Sequence, residues 1–108
     1  MIMSLEIAAG FAGTTATLTL TGELDAGSAP AFKGEIEKLA GLGPTRLVLE
    51  VANLSFMASA GLRVLIFAKQ KLGTGVDIYV VKPQPAIVDT LEKTGFHHSV
   101  FIVDQAPA

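Results

Sequence analysis

Residues 15 to 21 read Thr-Ala-Thr-Leu-Thr-Leu-Thr, an unbroken alternation of threonine with apolar side chains. Successive side chains of a strand point to opposite faces, so this pattern predicts a strand with one buried and one open face. Upstream, Met3, Leu5 and Ile7 repeat the alternation, and the glycine-bounded stretch 10–13 predicts a turn between the two runs. The chain is therefore expected to begin with a β-hairpin.

The rest of the chain alternates between predicted helices and strands. Ser28 is placed as the N-cap of a first helix, and Pro30 is tolerated in its first turn. Further strands are predicted at 46–51, 76–81 and 100–103, with helices at 61–72 and 85–94. Strands joined through helices run parallel, which predicts an α/β fold with a small mixed sheet and helices packed against it. We expect a single domain over residues 1–108, with a frayed tail at 104–108.

Composition excludes several classes of function. Half of the 108 residues are hydrophobic, the net charge is −2 and there is no cysteine. A nucleic-acid binder shows a basic stripe, which is missing here, and anionic membranes are disfavoured for the same reason. The lack of cysteine excludes disulfides, a thiol nucleophile and thiolate metal sites. We expect a cytoplasmic protein with no cofactor, no metal and neither nucleic acid nor membrane as a partner.

Two short stretches carry a family resemblance. Residues 21–25 read Thr-Gly-Glu-Leu-Asp, and residues 54–62 read Leu-Ser-Phe-Met-Ala-Ser-Ala-Gly-Leu. Together with the strand at 76–81 and the corner Thr94-Gly95-Phe96, they resemble the signatures of bacterial anti-sigma factor antagonists, which are STAS domain proteins. The resemblance covers nearly the whole chain, and the combination of both stretches is far more specific than either one.

The resemblance implies a regulatory binding protein and not an enzyme. In this family the unphosphorylated antagonist binds an anti-sigma factor that is also a serine kinase, and so frees the sigma factor. The kinase phosphorylates a serine of the second stretch, and a PP2C-type phosphatase removes the phosphate. Carried over by position, the phosphoacceptor is Ser59, and Asp25 lies near the binding face.

The predicted partner-binding surface surrounds the start of the helix at 61–72. A helix N-terminus favours an added phosphate, and small residues let a partner approach closely. The predicted contact residues are Asp25, Ser28, Met57, Ala58, Ser59, Ala60, Gly61 and Leu62. Without the family context, Ser59 reads as a helix N-cap and Asp25 as a turn residue. Phe56 and Met57 read as core residues in preference to a contact patch.

One departure from the family pattern bears on regulation. The motif's aspartate falls at Ala58, and its second serine falls at Ala60. If that carboxylate orients the serine or the kinase, phosphorylation of Ser59 is impaired or absent. The chain is then a permanently active antagonist or serves another partner.

Other functions fit parts of the sequence. A serine hydrolase could combine Ser59 and Asp25 with His97 or His98, but no glycine precedes Ser59 at the spacing of a nucleophile elbow. The adjacent histidines are predicted to lie in a loop and to point to different sides, which makes them a poor metal site. The same fold also serves as a cytosolic accessory subunit of ABC-type lipid transporters, and as a scaffold subunit that is not phosphorylated. Ala58 in place of the motif's aspartate makes the accessory-subunit alternative more plausible.

Overall fold

The computed structural model of the protein describes residues 5–107. Those residues form five strands, three α-helices and a short 3₁₀ helix at Phe96–Ser99. The strands are β1 (Leu5–Ala12), β2 (Thr15–Leu24), β3 (Arg46–Met57), β4 (Asp77–Val81) and β5 (Phe101–Val103). The helices are α1 (Ala29–Ala40), α2 (Ser59–Leu72) and α3 (Pro85–Lys93). Met3 of the predicted hairpin and the last residue of the predicted tail lie outside the described residues.

The strands form one sheet in the order β1-β2-β3-β4-β5. β1 pairs with β2 in the antiparallel sense, and each later pair is parallel. The predicted α/β fold with its N-terminal hairpin is therefore confirmed. The predicted turn at 10–13 is wrong in position, because β1 continues to Ala12 and the turn consists of Gly13 and Thr14.

All three helices contribute buried side chains to one hydrophobic core. That core includes Phe32 and Ile36 of α1, Leu65 of α2 and Leu91 of α3. From β2 it takes the apolar members of the alternation, which are Ala16, Leu18 and Leu20. The alternation of side chains thus assigns one face of the sheet to the helices, as the sequence predicts.

The opposite face of the sheet carries the threonines of β2 and a row of larger side chains. Val48, Tyr79 and Phe101 are directly paired neighbours across β3, β4 and β5. The Tyr79 and Phe101 rings stack with centroids 5.0 Å apart. The guanidinium carbon of Arg46 lies 5.6 Å from the centroid of the Tyr79 ring. Val48 on this face is buried, although it is outside the main core.

β3 is twice as long as the sequence predicts, because it continues past Val51 to Met57. The pairing of β2 with β3 shifts register between Thr19 and Thr21 and again between Gly22 and Glu23. Gly22 has φ 105°, a conformation that residues with a Cβ rarely adopt. Such irregularities are typical of β-bulges, which bend a strand and redirect its side chains. The bulged segment keeps β3 paired while it changes the facing of residues 52–57.

The N-terminus of α2 packs directly on the end of β2. A Cβ added at Gly61 would lie 2.5 Å from Cγ and 2.7 Å from Cδ2 of Leu24, and 3.3 Å from Cγ of Met57. Leu24 is fully buried, so its side chain has no space into which it could move. Only glycine at position 61 allows the helix to approach β2 this closely.

Gly61→Ala should therefore destabilise the fold by about 1–3 kcal/mol, as overpacking does in other cores. Gly34→Ala in α1 is the matched control, since a Cβ there meets nothing within 4 Å. Alanine in place of a helical glycine should stabilise by about 0.5–1 kcal/mol. Urea unfolding of both variants measures the two changes. Equal stability of the Gly61→Ala variant and the unmodified protein would show that Leu24 does not oppose a larger residue.

Candidate functional site

The two stretches that carry the family resemblance lie side by side at the ends of β2 and β3. The backbone N–H of Ala58 donates to the carbonyl of Leu24 at 2.8 Å. The Ser55 hydroxyl donates to the carbonyl of Gly22 at 3.0 Å. Glu23 and Phe56 are paired residues in the ladder between the strands. Residues more than thirty positions apart in sequence thus form one continuous surface.

Ser59 is exposed and occupies the first position of α2. Ala58 is the N-cap, with extended φ and ψ of −80° and 168°. Its carbonyl accepts from the N–H groups of Gly61 and Leu62 at 3.0 and 3.2 Å. The interpretation of Ser59 as the N-cap is therefore wrong. The cap position holds a side chain without an oxygen, so it leaves the first N–H groups of the helix without a side-chain acceptor.

Asp25 and Ser28 form a hydrogen-bonded turn between β2 and α1. The Asp25 N–H donates to the Ser28 hydroxyl oxygen at 2.9 Å, and the Ser28 N–H donates to Oδ1 of Asp25 at 2.9 Å. The Ser28 hydroxyl also lies 3.0 Å from Oδ1 of Asp25 and 3.1 Å from the Glu23 carbonyl, to either of which it can donate. Ser28 is in the N-cap position of α1, as predicted, but its hydroxyl turns back to this network.

The structure divides the predicted contact residues into an accessible group and a buried group. Ser59 is exposed, and three further residues are partly accessible, namely Asp25, Ala58 and Ala60. The buried residues are Ser28, Met57, Gly61 and Leu62. A partner that docks on this conformation reaches the accessible group. The buried group lies beneath it and fixes where the first turn of α2 begins.

Phe56 is an accessible residue that the sequence assigns to the core. Its side chain is 47% exposed, and that prediction is wrong, whereas Met57 is buried as predicted. After Val51 the buried residues of β3 recur at every third position, at Leu54 and Met57. The register shifts between β2 and β3 cause this change of period, because a bulge alters the facing of the residues that follow it. In the sequence, this change of period is visible only in the three-residue spacing of Val51, Leu54 and Met57.

The histidines proposed for a hydrolase triad lie far from Ser59 in the fold. His98 lines a pocket with Lys69, Asp77 and residues 99–101. Asp77 begins β4 beside the first residue of β3, whereas Ser59 follows the last residue of β3. The histidines and Ser59 are thus at opposite ends of parallel strands. This geometry does not support a triad.

The two histidines themselves differ from the sequence-based expectation. They belong to the 3₁₀ helix, and their ring centroids are 3.9 Å apart, so the rings do not point to different sides. His98 is exposed, while Nδ1 of His97 is buried without a hydrogen-bond partner in the described part of the chain. Within residues 5–107, no three side chains of the His, Asp and Glu types converge on a possible metal site.

None of the helices formed by residues 5–107 is both long and apolar enough to cross a bilayer.

The chain is similar in sequence to a curated bacterial regulator. It is 33% identical over 66 residues to the anti-sigma-F factor antagonist RsfB of Mycobacterium tuberculosis. The aligned segment is 61% of this chain and 54% of that protein. The chain therefore spans about half the length of the curated relatives that it matches.

Solved structures share the fold. An anti-sigma factor antagonist from Mycobacterium paratuberculosis superposes with a TM-score of 0.82 at 23% identity, over 94% of this chain and 87% of that one. The Bacillus cell fate determinant SpoIIAA in its phosphorylated form gives a TM-score of 0.71 at 20% identity, over 90% of each chain. At these identities the likeness concerns the fold, which agrees with the mixed sheet and its helices.

The sequence profile of the STAS domain matches residues 6–106, which is nearly the whole chain. Both signature stretches, the bulged strand end and the first turn of α2 lie inside that match. The chain belongs to the STAS domain family.

Proposed function

We propose that residues 1–108 form one STAS-like domain that acts as a cytoplasmic anti-sigma factor antagonist. In this proposal the domain is a binding protein and not an enzyme. It binds an anti-sigma factor serine kinase and thereby frees a sigma factor. Phosphorylation of Ser59 by that kinase ends the binding, and a PP2C-type phosphatase restores it.

The observation that carries the proposal is the exposure of Ser59 on the first turn of α2. We call its accessible surroundings the Ser59 surface, which consists of Asp25, Phe56, Ala58, Ser59 and Ala60. A kinase can reach the hydroxyl there, and phosphorylation adds about −1.5 to −2 charges at the centre of the surface. A charge desolvated at an interface without a partner is costly, so one modification suffices to end binding. Similarity to RsfB, named as an anti-sigma-F factor antagonist, supports the same class of partner.

Phe56 gives this surface an apolar anchor. Large aromatic side chains contribute disproportionately to the affinity of protein interfaces, most strongly when the surrounding contacts exclude water from them. Here the exposed Phe56 side chain is paired in the ladder with the exposed carboxylate residue Glu23. The combination fits a protein partner, which can pack against the Phe56 ring and also contact the Ser59 hydroxyl.

Ala58 favours a second candidate, in which the domain is an accessory subunit of an ABC-type transporter or an unphosphorylated scaffold. The motif's aspartate would be the N-cap of α2, and alanine is a poor residue there. In this alternative the Ser59 surface still binds a protein, but phosphorylation does not control the binding. The identity of the partner separates the two candidates.

Affinity capture from an extract of the native cell, followed by mass spectrometry, tests the proposal. We expect the tagged protein to recover a small kinase-fold ATPase, and Phe56→Ala to lose it. Leu42→Ala is the matched control, because Leu42 is 57% exposed but follows α1. This variant should recover the same partner as the unmodified protein. Recovery of an ABC-transporter ATPase would instead assign the protein to the second candidate.

Ser59→Asp should weaken binding to the purified partner at least about tenfold, since it introduces a negative charge into the contact face. The same change should leave the domain folded, because acidic residues are favourable in the first turn of a helix. Ser99→Asp, at an exposed position of the 3₁₀ helix, is the control and should bind normally. Isothermal titration calorimetry measures all three affinities. An unchanged affinity of the Ser59→Asp protein would contradict the proposed control point.

Ala58→Asp should increase the rate at which the cognate kinase phosphorylates Ser59, because it restores the carboxylate beside the acceptor. It should also stabilise the domain by about 1 kcal/mol, because aspartate caps a helix much better than alanine. Ala58→Asn separates the two effects, since asparagine caps equally well without a charge. We expect the Asn variant to gain stability alone. A radiolabel assay in which Asp gives no faster phosphorylation than Ala would show that the missing carboxylate is not limiting.

A further inference from the structure

β1 is a long edge strand with little protection against pairing. It lies at the end of the sheet order, so its outer side has no neighbouring strand among the described residues. Proteins usually block such edges with charges, proline, bulges or very short strands. β1 has eight residues, pairs with β2 in an uninterrupted register and carries a single charge, at Glu6. By contrast, the opposite edge strand, β5, has only three residues.

Within residues 5–107, the outer edge of β1 is also sterically open. Ala8, Ala9 and Gly10 are exposed, and a Cβ at Gly10 would meet nothing within 4 Å. Alternate residues of an edge strand direct their N–H and C=O groups outward, where they can join another strand. Small side chains let a second backbone approach those groups. The edge is therefore chemically suited to one kind of ligand, an extended polypeptide.

β1 has an exposed aromatic ring at its end and a groove beside its start, and the two are complementary. At its end, Phe11 is 38% exposed on the helix-covered face of the sheet, where it pairs with the core residue Ala16. At its start, on the same face, a groove between β1 and α1 is lined by Leu5, Ile7, Ala31 and Glu35 together with Glu6. An antiparallel neighbour reverses the strand direction, so a second copy of β1 places its Phe11 at this groove.

We propose that β1 pairs with β1 of a second copy in an antiparallel two-fold arrangement centred on Ala9. A twofold interface uses the same patch on both subunits. The Phe11 ring at the end of each β1 can therefore contact the groove at the start of the other β1. In this register Ile7 faces the partner's Phe11. Cross-strand pairs of a β-branched and an aromatic residue stabilise sheets. Glu6 faces the partner's Ala12, so the two carboxylates do not oppose each other.

The association is weak and depends on concentration. A pair of edge strands buries much less surface than a standard stable interface, so the contact belongs to the transient class. None of the β1 residues in this pairing belongs to the Ser59 surface, so the inference is independent of the proposed function. Dimerisation joins the two sheets into one.

Sedimentation velocity over a protein concentration from about 10 µM to about 1 mM tests the proposal, because transient contacts have dissociation constants in this range. The unmodified protein should shift from monomer to dimer. Ala9→Lys and Ala9→Glu each place like charges opposite each other on the two-fold axis, and each should raise the dissociation constant at least about tenfold. An equimolar mixture of the two variants should recover the dimer, since opposite charges then face each other.

Gln105→Lys is the control, since it adds the same charge at an exposed position beyond β5 and should dimerise normally. Circular dichroism of both Ala9 variants verifies that they are folded. A monomeric unmodified protein at the highest concentration would overturn the proposal. So would a dimer that persists unchanged in both Ala9 variants, because its interface would then lie elsewhere. Failure of the mixed variants to associate would overturn the register centred on Ala9.

Discussion

The parallel pairing of β2 with β3 is the interaction on which the rest of the structure depends. It brings the stretch 21–25 beside the stretch 54–58, and the bond from the Ala58 N–H to the Leu24 carbonyl closes the pairing at its far end. Leu24 then provides the surface on which α2 begins, which is why residue 61 has no room for a Cβ. The position of Ser59 follows from these contacts, since it is the first residue after the cap. The candidate site is therefore a consequence of strand pairing, not of a flexible loop.

Much of the fold could be predicted from local pattern. The alternation over residues 15–21 identified β2 and its buried face, because the pleat of a strand fixes the facing of each side chain. The apolar runs and the glycine and proline stops located the helices within a few residues. The site was predicted less completely. The length of β3 and the exposure of Phe56 depend on register shifts against β2, and a register is a property of two strands that neither sequence segment contains alone.

The role of Ala58 shows the same limit at the level of one residue. The sequence marked position 58 as the place where an acid is missing, but it did not show what that acid would touch. In the structure this position is the N-cap of α2, so the missing group is also a missing helix cap. Likewise, Asp25 is part of the Ser59 surface, yet its Oδ1 atom is committed to the turn with Ser28. Asp25, which the family resemblance places near the binding face, thus also stabilises the turn between β2 and α1.

The order of the strands has a consequence for how the candidate site forms during folding. The hairpin of β1 and β2 is local in sequence, whereas β2 meets β3 only after the chain has closed a long loop around α1. Local contacts form quickly, and distant parallel pairings form slowly because loop closure costs entropy first. In a chain that has formed only the hairpin, β3 is not yet paired with β2. The N-terminus of α2 then has no packing surface, and Ser59 has no fixed position. Because the candidate site requires a pairing between distant strands, a chain that has folded incompletely cannot present it.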